Sequence, residues 1–141
     1  MYRSWNGYCY NNRVSIVNFS MQQLPFDKRS GKIWFNNELC EWQDARVHII
    51  SHGMHYASLV FEGLRVYNNK IFKLKEHTDR LFNSAKILDM KIPFSKEELA
   101  QAQIDVVKQN NLNSAYLRPM CFYGSEGMGL RADGLKTHVM I

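Results

Sequence analysis

Strict alternation over a short stretch leaves a chain few conformational choices, and here it is strongest between Leu59 and Lys73, LVFEGLRVYNNKIFK. Side chains alternate across a strand. Val60, Leu64 and Val66 therefore share one face, and Phe61, Gly63, Arg65 and Tyr67 share the other. The first face needs a core. The second combines an aromatic ring, a bare backbone position, an arginine and a tyrosine, a mixture suited to a ligand pocket. Asn68-Asn69 tolerates the positive φ of a two-residue turn. The stretch thus predicts a β-hairpin, which runs on into a helix carrying Arg80.

The neighbouring segments extend this pattern. Ile33-Trp34-Phe35 and Leu39-Cys40-Glu41-Trp42 flank Asn36-Asn37, a second hairpin signal. Val47, Ile49 and Ile50 suggest a strand, and Ser51 to Tyr56 an irregular loop. Leu74 to Leu88 reads as a helix, with Leu74, Leu81, Ala85 and Leu88 on one stripe and Phe82 beside it. Pro93 breaks the chain, and Ser95 to Glu98 forms a capping box that opens a second helix to about Asn110. Its inward residues are Leu99, Ala102, Val106 and Val107. Ala115 to Tyr123 predicts one strand with Tyr116, Arg118, Met120 and Phe122 on one face. The Gly124 to Gly129 stretch is a mobile loop by composition, and Thr137 to Ile141 begins another strand. The expected fold is a small α/β (α+β) domain, an antiparallel sheet covered on one face by two helices.

With 141 residues, 45% of them hydrophobic, the chain suffices for one domain with a core and is too short for two full ones. Residues 1–20 lack a sustained period and are expected to lie outside the fold, leaving 21–141 as the domain. No apolar run approaches the ~20 residues of a membrane helix, and no secretory signal peptide is expected. Cys9, Cys40 and Cys121 lack metal-ligand spacing and fit reduced thiols in a cytoplasm. The net charge of +5 is concentrated in residues 1–32, which carry +4 against +1 for the rest. A nucleic-acid domain concentrates its charge on a folded face, so a solvated tail is the preferred reading over a polyanion contact.

Three groups of polar residues bear on chemistry. His48, His52 and His55 are read as loop or structural histidines, because Gly53 and the apolar run before it argue against the helix a zinc site would need. Gly127-x-Gly129 lacks the strand–loop–helix context of a dinucleotide fingerprint. Arg65 and Arg118 each lie on a strand two residues from an aromatic, and arginine's planar fork suits carboxylate and phosphate. From spacing alone, these arginines and Arg80 indicate a small anionic ligand.

At these same residues the sequence resembles a known family. IWFNNELCEWQDARVHIISHGMHYASLVFEGLRVY, KEHTDRLFNSAKIL, NNLNSAYLRPMCFYG and EGMG, in this order and spacing, are similar to the N-terminal half of bacterial branched-chain amino acid aminotransferases, pyridoxal-phosphate enzymes of fold type IV. The resemblance covers about Met21 to Ile141. It implies pyridoxal 5'-phosphate as cofactor, with Arg80 holding its phosphate. It implies Tyr56, Phe61, Gly63 and Arg65 as pocket lining, with Phe61 and Gly63 shaping the branched aliphatic site. Tyr116 would help to hold the α-carboxylate, and Arg118 with Tyr56 the distal carboxylate of glutamate. Met128 and Leu130 would belong to an interdomain loop closing over a neighbouring subunit's pocket.

The resemblance also implies amino acid and 2-oxo acid substrates and a homo-oligomer when complete, while the charge placement and the lack of a long apolar run lead to the expectation of no nucleic-acid or membrane partner. In the family, the lysine that forms a Schiff base with the cofactor and the acidic partner of its ring nitrogen come from the C-terminal half. None of the lysines here, from Lys28 to Lys136, matches that position. The expectation is a domain inactive by itself, which needs a lysine-bearing C-terminal half. A relative such as a D-amino acid aminotransferase and a non-catalytic remnant or binding domain are the alternatives.

Overall fold

A computed structural model describes residues 24–141. The extension expected over residues 1–20, with Met21 and Cys9, lies outside the described residues.

Both asparagine pairs make the turns expected of them. Asn36 and Asn37 adopt φ of 47° and 76°, and Asn68 and Asn69 adopt 48° and 61°. Asparagine tolerates this left-handed region, whose twist matches that of antiparallel strands. The first pair joins β1 (Lys32–Phe35) to β2 (Glu38–Glu41), and the second joins β4 (Leu64–Tyr67) to β5 (Lys70–Ile71).

The alternating stretch and its partner are each broken in the middle. Residues 59–67 divide into β3 (Leu59–Phe61) and β4, and residues 114–123 into β6 (Ser114–Leu117) and β7 (Met120–Tyr123). β3 pairs with β7, and β4 with β6, all antiparallel. The single sheet expected from the sequence is therefore two antiparallel sheets. One has the order β2-β1-β8-β7-β3, with β8 at Thr137–Met140, and the other β5-β4-β6. Pro119 lacks an N–H and sits at the break, where its carbonyl accepts from the Glu62 amide at 2.9 Å. One ladder thus passes from sheet to sheet along two strands that cross together.

Two helices close the core. α2 (Leu74–Ile87) and α3 (Lys96–Gln109) lie where the apolar spacing puts them, and both halves of the Ser95–Glu98 capping box are present. Leu81 from α2 and Leu99, Val106 and Val107 from α3 pack with Leu64, Val66, Leu117, Cys121 and Val139 of the strands. The core therefore spans both sheets. Burial pushes the Cys121 thiol up to about 12. Among the described residues, no helix is long and apolar enough to cross a membrane.

Three local expectations fail. Val47, Ile49 and Ile50 form no strand; all three are exposed, and the chain instead turns on the bond from the Ser51 amide to the His48 carbonyl. Ser51 to Tyr56 is not irregular, since α1 (His52–Tyr56) forms one helical turn there. Leu88 is exposed, because α2 ends at Ile87 and Asp89 turns the chain with φ 55°.

Candidate active site

The break between the sheets gathers five of the expected residues. β4 and β6 set Arg65 directly opposite Tyr116. Arg118, in the break itself, donates from Nη2 to the Tyr116 hydroxyl at 3.0 Å. Its guanidinium carbon lies 4.6 Å from the Phe61 ring centre and 5.2 Å from that of Tyr116. Gly63 lets Tyr116 approach closely here: a Cβ would meet the Tyr116 hydroxyl and displace it. Phe61 and Tyr116 are each about half exposed. The result is an open surface of two aromatic rings bridged by one cation, with the guanidinium edges available to a carboxylate. The expected common face of Tyr116, Arg118, Met120 and Phe122 does not persist through Pro119: Tyr116 and Arg118 are exposed, whereas Phe122 is buried.

The opposite side of the same break holds a feature missed from the sequence. Glu62 is only 5% exposed and pairs with Arg80 through two bonds, Nε to Oε1 at 2.5 Å and Nη2 to Oε2 at 2.7 Å. His77 Nδ1 lies 2.7 Å from the same Oε2. A carboxylate only accepts, so His77 carries its proton on Nδ1 and donates it. Its 3.2 Å approach to Arg80 Nη2 is then a proximity of two donors. The Arg80 fork holds the Glu62 carboxyl below its usual range, and His77 adds to the effect while burial opposes it. Arg80 itself is 65% exposed. The signal for Glu62 was its parity with Val60 and Leu64: an acid on an otherwise apolar face needs a buried partner.

The remaining expected residues form a third group. Tyr56 packs against His52, ring centres 4.4 Å apart and planes tilted by 40°. His52 is buried. Its Nδ1 meets the Ser58 hydroxyl at 2.6 Å and its Nε2 the Gly129 carbonyl at 2.9 Å. The carbonyl accepts, so Nε2 donates and Nδ1 takes the Ser58 proton. His52 thereby ties down the loop that carries Met128 and Leu130, which are 57% and 87% exposed. No hydrogen bond among the described residues joins Tyr56 to Arg118. His55 bonds the Ile49 carbonyl and His48 accepts from the Ile50 amide, so the three histidines serve separate turns. A recess lined by Phe26, Ile33, Trp42 and Arg46 contains none of the expected residues.

Residues 59–141, from the first strand of the break onwards, match the family described as amino-transferase class IV. The chain belongs to this family. It is 55% identical over 117 residues to the branched-chain-amino-acid aminotransferase of Pseudomonas aeruginosa, a match covering 80% of this chain and 38% of that protein. The Escherichia coli branched-chain amino acid aminotransferase structure superposes with a TM-score of 0.76 at 44% identity, covering 79% of this chain and 38% of that one. The branched-chain amino acid aminotransferase of Thermobaculum terrenum, in its PLP form, gives 0.69 at 27% identity, covering 79% and 38%. The chain thus spans about two fifths of the length of these class IV relatives, in their N-terminal part. The mixed fold of antiparallel sheets and two principal helices is that of the N-terminal domain of fold type IV aminotransferases.

Proposed function

We propose that this chain forms the substrate-holding and phosphate-clamping part of a branched-chain amino acid transaminase, which exchanges the amino group of leucine, isoleucine or valine with 2-oxoglutarate. The observation that carries this reading is the surface at the break between the sheets, where Phe61 and Tyr116 flank Arg118 beside the bare backbone of Gly63. Such an enzyme must accept a branched hydrocarbon and a second carboxylate in one place. The ring of Phe61 offers apolar contact to the first. The edge of Arg118, spread over two rings, receives the second.

The residues present fit pyridoxal 5'-phosphate. Glu62 occupies the Nε/Nη2 edge of Arg80, and Nη1 makes no hydrogen bond among the described residues, so a two-thirds exposed arginine retains donors for a phosphate. When bound, the cofactor supplies an electron-withdrawing ring that stabilises negative charge at the substrate α-carbon. The chain's own residues bind and orient. Arg80 takes the phosphate, Tyr116 the α-carboxylate, and Arg118 with Tyr56 the distal carboxylate. Phe61, Gly63 and Arg65 line the pocket, and Met128 and Leu130, on the loop held by His52, close over the pocket of a neighbouring subunit. Proton transfer at the α-carbon is assigned to a lysine that this chain does not contribute. A homo-oligomer and a cytoplasmic setting accompany this reading.

The test is a chimera in which residues 21–141 replace the matching part of the Pseudomonas aeruginosa relative. Transamination of L-leucine with 2-oxoglutarate supports the proposal. A folded, cofactor-loaded chimera that acts on D-amino acids, or on neither class, overturns it.

A further inference from the structure

The pairing of Glu62 with Arg80 is costly to build, because a carboxylate 5% exposed has lost most of its water. It also runs against the simplest design for an anion site, since a buried negative charge beside Arg80 weakens the arginine's attraction for another anion. We infer that Glu62 is the positioning residue for Arg80, turning the guanidinium so that its Nη1/Nη2 edge faces an incoming phosphate monoester. This rests on the proposed role of Arg80 in holding the cofactor phosphate.

The geometry is specific. Glu62 grips the Nε/Nη2 edge with both oxygens, at 2.5 and 2.7 Å, which fixes the plane of the guanidinium and not merely its location. Glu62 cannot itself turn. His77 Nδ1 donates to Oε2, and the Glu62 amide donates to the Pro119 carbonyl at the break between the sheets. The chain of contacts therefore runs from the sheet crossover, through Glu62, to an exposed fork on α2. Alternation puts Phe61 and Gly63 on one side of the strand and Glu62 on the other. One tripeptide, Phe61-Glu62-Gly63, thus sets the substrate wall and the phosphate clamp in a fixed mutual orientation.

Charge and orientation predict opposite signs for one substitution. Glu62→Gln removes a negative charge, so if Glu62 acted only through its field, anion binding would tighten. If it acts by orientation, binding weakens even though the protein becomes more positive. The experiment titrates inorganic phosphate and pyridoxal 5'-phosphate into the full chain at constant ionic strength, following by NMR the backbone amide resonances around Glu62 and position 80, for the unaltered chain, E62Q and R80Q. The expected result is saturable binding that is lost in R80Q and weakened about tenfold in E62Q. Binding by E62Q as tight as or tighter than that of the unaltered chain overturns the inference while leaving Arg80 as the clamp. Unchanged binding in R80Q overturns the role of Arg80 itself, as does the absence of saturable binding in the unaltered chain. A second measurement needs no variant: the Arg80 Nε–H vector of the unaltered, ligand-free chain should be as ordered as the backbone around it. An Arg80 as mobile as a free surface arginine overturns the inference even if E62Q fails to fold.

Discussion

The two strands that cross between the sheets and the loop that follows Tyr123 both carry expected site residues, but they hold them by different means. At the crossing, Phe61, Gly63, Arg65, Tyr116 and Arg118 stand on a hydrogen-bonded ladder backed by Leu64, Val66 and Leu117. Their positions follow from register and from a core that spans both sheets. In the loop, Met128 and Leu130 rest on little besides the His52 bond to Gly129 and the side chain of Glu126, which accepts from the Lys136 amide and from His138. The lesson is that these expected site residues stand partly on a wall held by register and core, and partly on a loop, or flap, tethered by a few side chains. A substitution at one should disturb geometry, and at the other only access.

The largest effect should come from removing the wall's support. Leu64 is 1% exposed directly behind the crossing, and Leu64→Ala should cost about 2–5 kcal/mol of folding stability, measured by denaturant unfolding. A loss near zero would mean the crossing is not built on this core. Gly63→Ala should then separate geometry from stability. Its Cβ meets the far end of an exposed tyrosine, so folding should lose at most about 1 kcal/mol. In the active chimera, by contrast, kcat/KM for leucine should fall about 100-fold, or about 2.7 kcal/mol, as Tyr116 is displaced from Arg118.

A smaller effect is confined to acid. The Glu62 carboxyl lies below its ordinary value of 4.5, chiefly because of its bonds to Arg80. A group depressed in the folded state stabilises it above the unfolded value, and that stability is lost as pH falls through the folded value. E62Q should therefore be less stable than the unaltered chain at neutral pH, and the gap should narrow below about pH 4. A gap independent of pH would show that packing, not charge, is what the substitution removes. The smallest effect belongs to the flap. His52→Phe should speed amide exchange in residues 124–136 about fivefold, the equivalent of one hydrogen bond, with little change at the crossing. Equal acceleration in both places would dissolve the distinction between wall and flap.

Much of this was legible beforehand, for reasons that differ from residue to residue. The Asn-Asn turns, the Ser95–Glu98 box and the stripe of α3 are local, and each needs only near neighbours to form. The exposed face of Phe61, Arg65 and Tyr67 was legible because alternation survives the short break at Glu62-Gly63. Val47, Ile49 and Ile50 misled because apolar β-branched residues form a strand only where they pair with another strand, and among the described residues these pair with none. Glu62 was overlooked for a related reason: its meaning depends on Arg80, eighteen residues away and on another element.

The sequence by itself determined where the chain can turn, which faces must be buried, and that Arg65, Arg80 and Arg118 are forks suited to anions, because these are properties of short periods and single side chains. The tertiary structure alone decided that one ladder divides into two sheets at Pro119 and that Arg118 lies against the rings of Phe61 and Tyr116. It also decided that Glu62 reaches through the strand to hold Arg80. Each of these is a contact between distant segments, and its energy arises only once the core has brought them together.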